Sequence, residues 1–178
     1  MKKLLIISIL IANYLFSQEL IIGEENIDPG IILIFEGAIK DKIYPLSMNL
    51  KENQTNIHIE ARVNWGTENI PNGTPKGGFV PYLKINAEVT NQKSGMKSFV
   101  DLYPHINLSD NFHYARNIAL PGEKNDLYMV EFTVHSPSKY ELFFHNDWDK
   151  KYGKNLIVDE SFSYENINFS KIADAKRN

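Results

Sequence analysis

The chain has no cysteine among its 178 residues. That removes disulfide staples, thiolate metal cages and the Cys ligand a cupredoxin's copper needs. Basic residues are not in excess: 19 Lys and Arg stand against 22 Asp and Glu, a formal net charge of −3. An acidic chain is poorly equipped to bind nucleic acid through phosphate, so no nucleic acid is expected as a partner. Ser, His and Asp are all present, but no Gly-x-Ser-x-Gly nucleophile elbow occurs. Beyond residue 17 no apolar stretch is long enough to span a membrane, and no segment holds a long 3.6-residue periodicity. Linkers, internal repeats and low-complexity tracts are missing too. Residues 18–178 therefore read as one domain, and ~160 residues can bury a core without staples.

What is present begins with an export signal. Lys2 and Lys3 form a positive start, and the apolar stretch Leu4 to Ile11 continues through Ala12, Tyr14, Leu15 and Phe16. That is the layout of a secretory signal peptide, residues 1–17. Cleavage after Ser17 leaves Gln18 first, removes Lys2 and Lys3 but no acid, and moves the formal charge from −3 to −5. The competing reading is an uncleaved anchor, since Leu15 is a mediocre residue at that position; the apolar core is short for a ~20-residue span, which favours cleavage. No cysteine follows the apolar run, so a lipid anchor of the bacterial lipoprotein kind is excluded. The mature domain is expected to be exported and soluble.

Ile57, Ile59, Ala61, Val63 and Trp65 alternate with Asn56, His58, Glu60, Arg62 and Asn64, the period of two of a half-buried strand. Leu83 to Val89 repeats it, as do Tyr128, Val130, Phe132 and Val134. Weaker strands are expected over Gly30 to Ile39 and Phe162 to Phe169. Turn signals such as Pro71-Asn72-Gly73, Lys76-Gly77-Gly78, Ser94-Gly95 and Pro121-Gly122 separate them. Short strands at these spacings predict an all-β fold, an immunoglobulin-like antiparallel β-sandwich.

Four of the five histidines belong to patterns that can serve a metal ion. On a strand, residues i and i+2 share a face about 7 Å apart, so His58 and Glu60 can reach one ion or two adjacent ones. The competing reading is a solvated polar face, which is the commoner outcome for a lone His-x-Glu. His105 follows Pro104 at the end of the Phe99 to Tyr103 run, where the proline is expected to end strand pairing. His113 lies beyond the turn-forming stretch Asn107 to Asn111, and a hairpin-like return can bring both histidines into one coordination sphere. His145 sits in an aromatic and acidic neighbourhood, Phe143 to Asp149. His135 reads as a surface histidine. Imidazole and carboxylate are donors for Cu(II), Fe(II), Zn(II) and Mn(II). Only neutral imidazole ligates, so affinity is expected to fall as pH drops through about 6.5.

The segments Ile57-His58-Ile59-Glu60-Ala61, Pro71-Asn72-Gly73, Val80-Pro81-Tyr82-Leu83, Pro104-His105 and Phe112-His113-Tyr114-Ala115-Arg116-Asn117-Ile118, followed by His145, resemble in order the signatures of the bacterial periplasmic iron-transport proteins. The family includes the copper- and iron-binding protein of Campylobacter and the treponemal pathogen-specific antigen, and the resemblance runs from Glu19 to about Phe169. It implies a dimeric sandwich in the periplasm that binds copper near its dimer interface and works beside an inner-membrane permease in high-affinity ferrous iron uptake. Members are generally binding proteins, so no enzyme activity is expected. The resemblance places copper ligands on His58, Glu60, His113 and His145, the last contributed across the dimer. It places a second, oxygen-rich site on Glu19 and Asp110, which share Glu60; carboxylates there suit Fe(II) or Mn(II). The competing role for Asp110 is to stabilise its turn.

One departure matters. Relatives carry a methionine where this chain has His105, and the segment from there to His113 is one residue longer. Imidazole in place of thioether shifts preference from Cu(I) toward Cu(II), Zn(II) or Fe(II), while the extra residue leaves open whether His105 faces the metal. Two rival functions stand beside metal binding. One is an exported interaction module, an adhesin or surface antigen. The other is an oxidative copper enzyme, whose polysaccharide-cleaving form needs an N-terminal histidine that cleavage before Gln18 does not provide.

Overall fold

A computed structural model describes residues 19–177; the predicted signal segment 1–17 lies outside the described residues. Eight strands form the domain: β1 (Glu19–Ile27), β2 (Ile31–Ala38), β3 (Ile57–Trp65), β4 (Lys84–Asn91), β5 (Lys97–Asn107), β6 (Asn111–Ile118), β7 (Tyr128–His135) and β8 (Glu160–Ile167). Every pairing is antiparallel, in the order β1-β2-β3-β6-β5-β4-β7-β8. The chain is all-β, as its alternating pattern predicts. Two short helices, α1 (Asn146–Tyr152) and α2 (Ser170–Asp174), are too brief to leave a helical period in the sequence. No helix among the described residues is long and apolar enough to cross a membrane.

The sheet folds over on itself at β5. Up to Leu102 this strand pairs with β4, and from Tyr103 onward it pairs with β6. One layer is therefore β1-β2-β3-β6 with the end of β5, and the other is β4-β7-β8 with its beginning. Without β1, the neighbours β2-β3-β6-β5 and β4-β7-β8 follow the A-B-E-D and C-F-G order of immunoglobulin domains. Between the layers Phe35 of β2 stacks on Phe132 of β7, with ring centroids 4.1 Å apart and planes 13° apart; both rings are fully buried. Such a pair adds about 1 kcal/mol to the area it buries. At the open edges the Tyr164 hydroxyl of β8 donates to Glu25 of β1 at 2.8 Å, so the sheet is nearly closed. Tyr114 of β6 reaches into the β3–β4 connection, donating to the Val80 carbonyl at 2.9 Å and accepting from the Leu83 amide at 3.2 Å.

Pro104 does not end strand pairing. It lies inside β5 opposite Tyr114. The proline comes just after β5 has left β4, where one side of the strand is open and a missing N–H costs no ladder bond. Phe169, expected as strand, sits past the end of β8 as a buried core residue against Tyr128.

Candidate metal centre

The polar side of β3 faces away from the sandwich core but is not wet. Ile57, Ile59, Ala61, Val63 and Trp65 enter the core, while on the opposite face His58 is 2 % and Glu60 1 % exposed. The connection 39–56 folds over the His58 end of this face. Asn117, the cross-strand partner of His58, holds that connection by donating its amide to the carbonyls of Asp41 at 2.7 Å and Leu50 at 3.1 Å. Arg177 ties the C-terminal tail to the same segment through Asp41 at 3.0 Å. The half-buried strand expected from the alternation is therefore buried on both faces over Ile57 to Ala61.

The β5–β6 hairpin brings His105 and His113 to this face as direct cross-strand partners. With His58 they present ligand atoms that all lie within 4.8 Å of one another. Ring centroids are 5.3 Å apart for His58 and His105, 5.9 Å for His105 and His113, and 6.3 Å for His58 and His113. The β5–β6 register runs unbroken from Tyr103 opposite Ala115 to Asn107 opposite Asn111, and the turn is closed by Asn107, which accepts from the amides of Ser109 and Asp110 at 2.8 and 2.6 Å. His105 points inward, toward His58 and His113.

Neighbouring groups fix the nitrogen that two of these rings turn to the cluster. Because the Asn117 amide donates to two carbonyls, its oxygen faces the His58 Nδ1 at 2.9 Å and accepts from it. The His113 Nδ1 meets the Asn111 carbonyl at 3.1 Å, and a carbonyl can only accept. Both rings carry their proton on Nδ1, which leaves the Nε2 lone pair free, the usual way a protein orients a metal-binding imidazole. Burial pushes the His58 pKa down to about 3, aided by His105 and His113 and opposed by the Asn117 hydrogen bond. Burial, with His113 and Arg116, pushes His105 down to about 4, and burial also lowers His113. The expected loss of neutral imidazole near pH 6.5 is thereby displaced to lower pH, because the buried rings resist protonation.

Beside the imidazoles lies a carboxylate group. Glu60 Oε1 is 3.7 Å from His58 Nε2. Burial raises the Glu60 pKa to about 8, and the nearby charges of Asp110, Glu36 and Glu19 push it the same way. Glu36, directly across from Glu60 on β2, is fully buried and bonded to Arg62 at 2.5 Å. Sequence reasoning passed over Glu36, although an acid within the apolar run Ile31 to Ala38 is itself a sign of a buried charge. Asn117 falls inside the segment Phe112 to Ile118, whose sequence carries no sign that it orients His58. Asp110 takes the role of turn stabiliser, accepting from the Asn107 amide at 2.7 Å, while its charge is still felt at Glu60. Glu19 opens β1 at the edge of the same layer.

His145 is not part of the cluster. It precedes α1 in the β7–β8 connection and lines an apolar groove of about 350 Å³ with Trp65, Val80, Tyr82, Phe144 and Trp148. His135 is a partly exposed histidine paired with Asp159 at 2.8 Å.

Among the described residues, four buried side-chain atoms have no hydrogen-bond partner: Glu36 Oε2, Glu60 Oε2, Arg62 Nε and His105 Nδ1. All belong to this one face. Buried polar atoms are normally paired, and carboxylate oxygens left unpaired beside three converging imidazoles are what a cation site supplies; Arg62 Nε, an N–H without a lone pair, cannot be a ligand. The donor set fits copper and other borderline divalent ions at the nitrogens and harder ions at the oxygens.

The sequence model of a family described as Fe2+ transport protein matches residues 16–170. The chain belongs to the Fe2+ transport protein family. Among curated proteins it is 26% identical over 122 residues to UPF0423 proteins of Brucella abortus and Brucella suis, 68% of this chain and 65% of theirs; the match thus spans a little under two thirds of those relatives' length. Among solved structures, this Fe2+ transport protein family member is similar to copper-reconstituted P19 of Campylobacter jejuni, with a TM-score of 0.69 and 26% identity over 83% of this chain and 94% of that one. FetP of uropathogenic E. coli strain F11, recombinantly expressed in the periplasm of another E. coli strain, shares the fold at a TM-score of 0.68 and 24% identity, covering 84% of this chain and 95% of that one.

Proposed function

We propose that this chain is an exported periplasmic binding protein that holds copper at His58, His105 and His113 and supports high-affinity iron uptake through an inner-membrane permease. The observation that carries the reading is the convergence of three buried imidazoles within 4.8 Å, two of them held with Nε2 free. Kinship with a copper-reconstituted structure and with an Fe2+ transport family supports the choice of metals. Bound copper supplies a Lewis-acidic, redox-capable centre. The chain's own part is to keep the imidazoles neutral by burial, to exclude bulk water, and to place the Glu60 carboxylate beside His58.

Ferrous iron is cargo in this account, taken up by the carboxylates of Glu60, Asp110 and Glu19, with manganese as an alternative there and zinc at the histidines. Such oxygen and nitrogen ligands exchange more readily than a thiolate cage, which suits a protein that hands its ion on and is not itself an enzyme. A homodimer completes the copper site with His145 of the partner subunit. The hairpin that carries His105 and His113 also exposes Ile106, Leu108 and Phe112, an apolar surface on which a second copy can close. Titrating metal-free protein with Cu(II), and anaerobically with Fe(II), tests this. One tight copper equivalent per chain, lost in His58→Ala, is the expected result. Weak binding that is equal in both proteins would leave the interaction-module reading as the better one.

A further inference from the structure

Glu36 and Arg62 stand outside the ligand set the family resemblance supplies, yet Glu36 is a fully buried carboxylate whose ionic partner Arg62 is partly exposed. Glu36 and Glu60 are directly opposed across β2 and β3. They share one face, with Cβ atoms about 5 Å apart in such a pair, and their exposures are 0 % and 1 %. Two ionised carboxylates set opposite each other in a sheet repel, and burial deepens the cost, so a cation between them is the state in which both can be ionised together. One guanidinium is supplied against them: Arg62 bonds Glu36 Oε1. Glu36 Oε2 and Glu60 Oε2 remain buried without a partner, and Arg62 Nε is unpartnered as well. Glu19 and Asp110 add negative charge near both carboxylates. Positive charge is in deficit at a place that two unpartnered carboxylate oxygens already occupy.

We propose that Glu36 and Glu60 together bind a hard divalent cation beside the imidazole cluster, and that Arg62 is the exchangeable counter-ion this cation displaces from Glu36. The proposal rests on the metal-binding reading above and extends it. Arg62 can serve as a removable stopper because its side chain is 30 % exposed while that of Glu36 is fully enclosed; the guanidinium can swing toward water, but the carboxylate cannot. Two carboxylates suit Mn(II) or Fe(II) and discriminate against Cu(I). Competition from Arg62 makes the cation weakly held and quickly released, which fits cargo. The neighbouring imidazoles have no such internal competitor and hold their ion more tightly.

The test uses full-length mature protein and Mn(II), followed by loss of the free-ion electron paramagnetic resonance signal, with Cu(II) titrated in parallel. Parent protein is expected to bind one Mn(II) per chain. Glu36→Gln, which keeps the shape and a hydrogen-bonding group for Arg62, should weaken Mn(II) at least tenfold and leave the first Cu(II) equivalent unchanged. Arg62→Met should tighten Mn(II) several-fold. Unchanged Mn(II) affinity in Glu36→Gln, or weaker affinity in Arg62→Met, overturns the proposal. Parent protein that takes Cu(II) stoichiometrically but no Mn(II) also overturns it while the imidazole centre stands. Parent protein that takes neither ion refutes the metal-binding reading itself.

Discussion

Replacing Glu60 by Gln in the metal-free protein should remove a pH dependence that the parent carries. Burial first, then the charges of Asp110, Glu36 and Glu19, raise this carboxyl to about 8 from the ordinary 4.5. A group whose pKa is raised by folding contributes stability at low pH and loses it as pH climbs through the folded value. Between pH 6 and pH 8 the unfolded chain holds Glu60 ionised while the folded chain still holds its proton. Two pH units at about 1.4 kcal/mol each make about 3 kcal/mol of stability lost by the parent across that window. Gln does not titrate, so Glu60→Gln should be spared this loss. The absolute difference between the two proteins also contains the fit of a buried amide, so the informative quantity is how that difference changes with pH. Isothermal urea unfolding of both proteins in chelator at pH 6 and pH 9 measures it. For a domain of this size about 3 kcal/mol corresponds to about 6–12 °C in Tm. A difference that is the same at both pH values would refute the claim that Glu60 is buried beside other carboxylates.

Asn117→Ala should weaken Cu(II) binding about 10–100-fold, the usual cost of losing a group that orients a ligating histidine; Cu(II) competition against a chelator of known affinity measures it, and an unchanged affinity would show that His58 needs no help from Asn117. Because burial holds His58 at about 3 and His105 at about 4, copper affinity, corrected for competitor protonation, should stay level from pH 7 down to about 5 and fall only below that. A midpoint near 6.5 would mean that the three rings are solvated. These outcomes join the copper loss expected of His58→Ala and the opposed manganese effects of Glu36→Gln and Arg62→Met.

The strands that alternate cleanly were legible: β3, β4 and β7 lie where their period of two places them. A hairpin return between His105 and His113 was legible from the turn-rich stretch Asn107 to Asn111, but their direct cross-strand pairing was not, because Pro104 reads as the end of strand pairing and the fold carries β5 straight through it. β1 was not legible, since its residues Glu19 to Ile27 follow directly on the apolar leader and carry a register shift after Ile21 that breaks the alternation. The burial of His58 and Glu60 was not legible either. Alternation reports that one face is apolar, and it says nothing of a loop such as 39–56 that later covers the other. For the same reason Glu36 and Arg62 stayed hidden: their pairing depends on the register of β2 against β3, where Ile34 faces Arg62 and Glu36 faces Glu60, and a single chain's pattern does not specify register. The nitrogen on which each histidine carries its proton depends on Asn117 and Asn111, which become neighbours only through the fold.

The most direct test of the central claim is X-ray absorption at the copper edge of protein loaded with one equivalent of Cu(II). At least three imidazole ligands, seen by their multiple-scattering signature, and no sulfur shell are expected, because His105 joins His58 and His113 at the ion. A sulfur contribution, or a single imidazole with oxygen donors filling the rest, would contradict it.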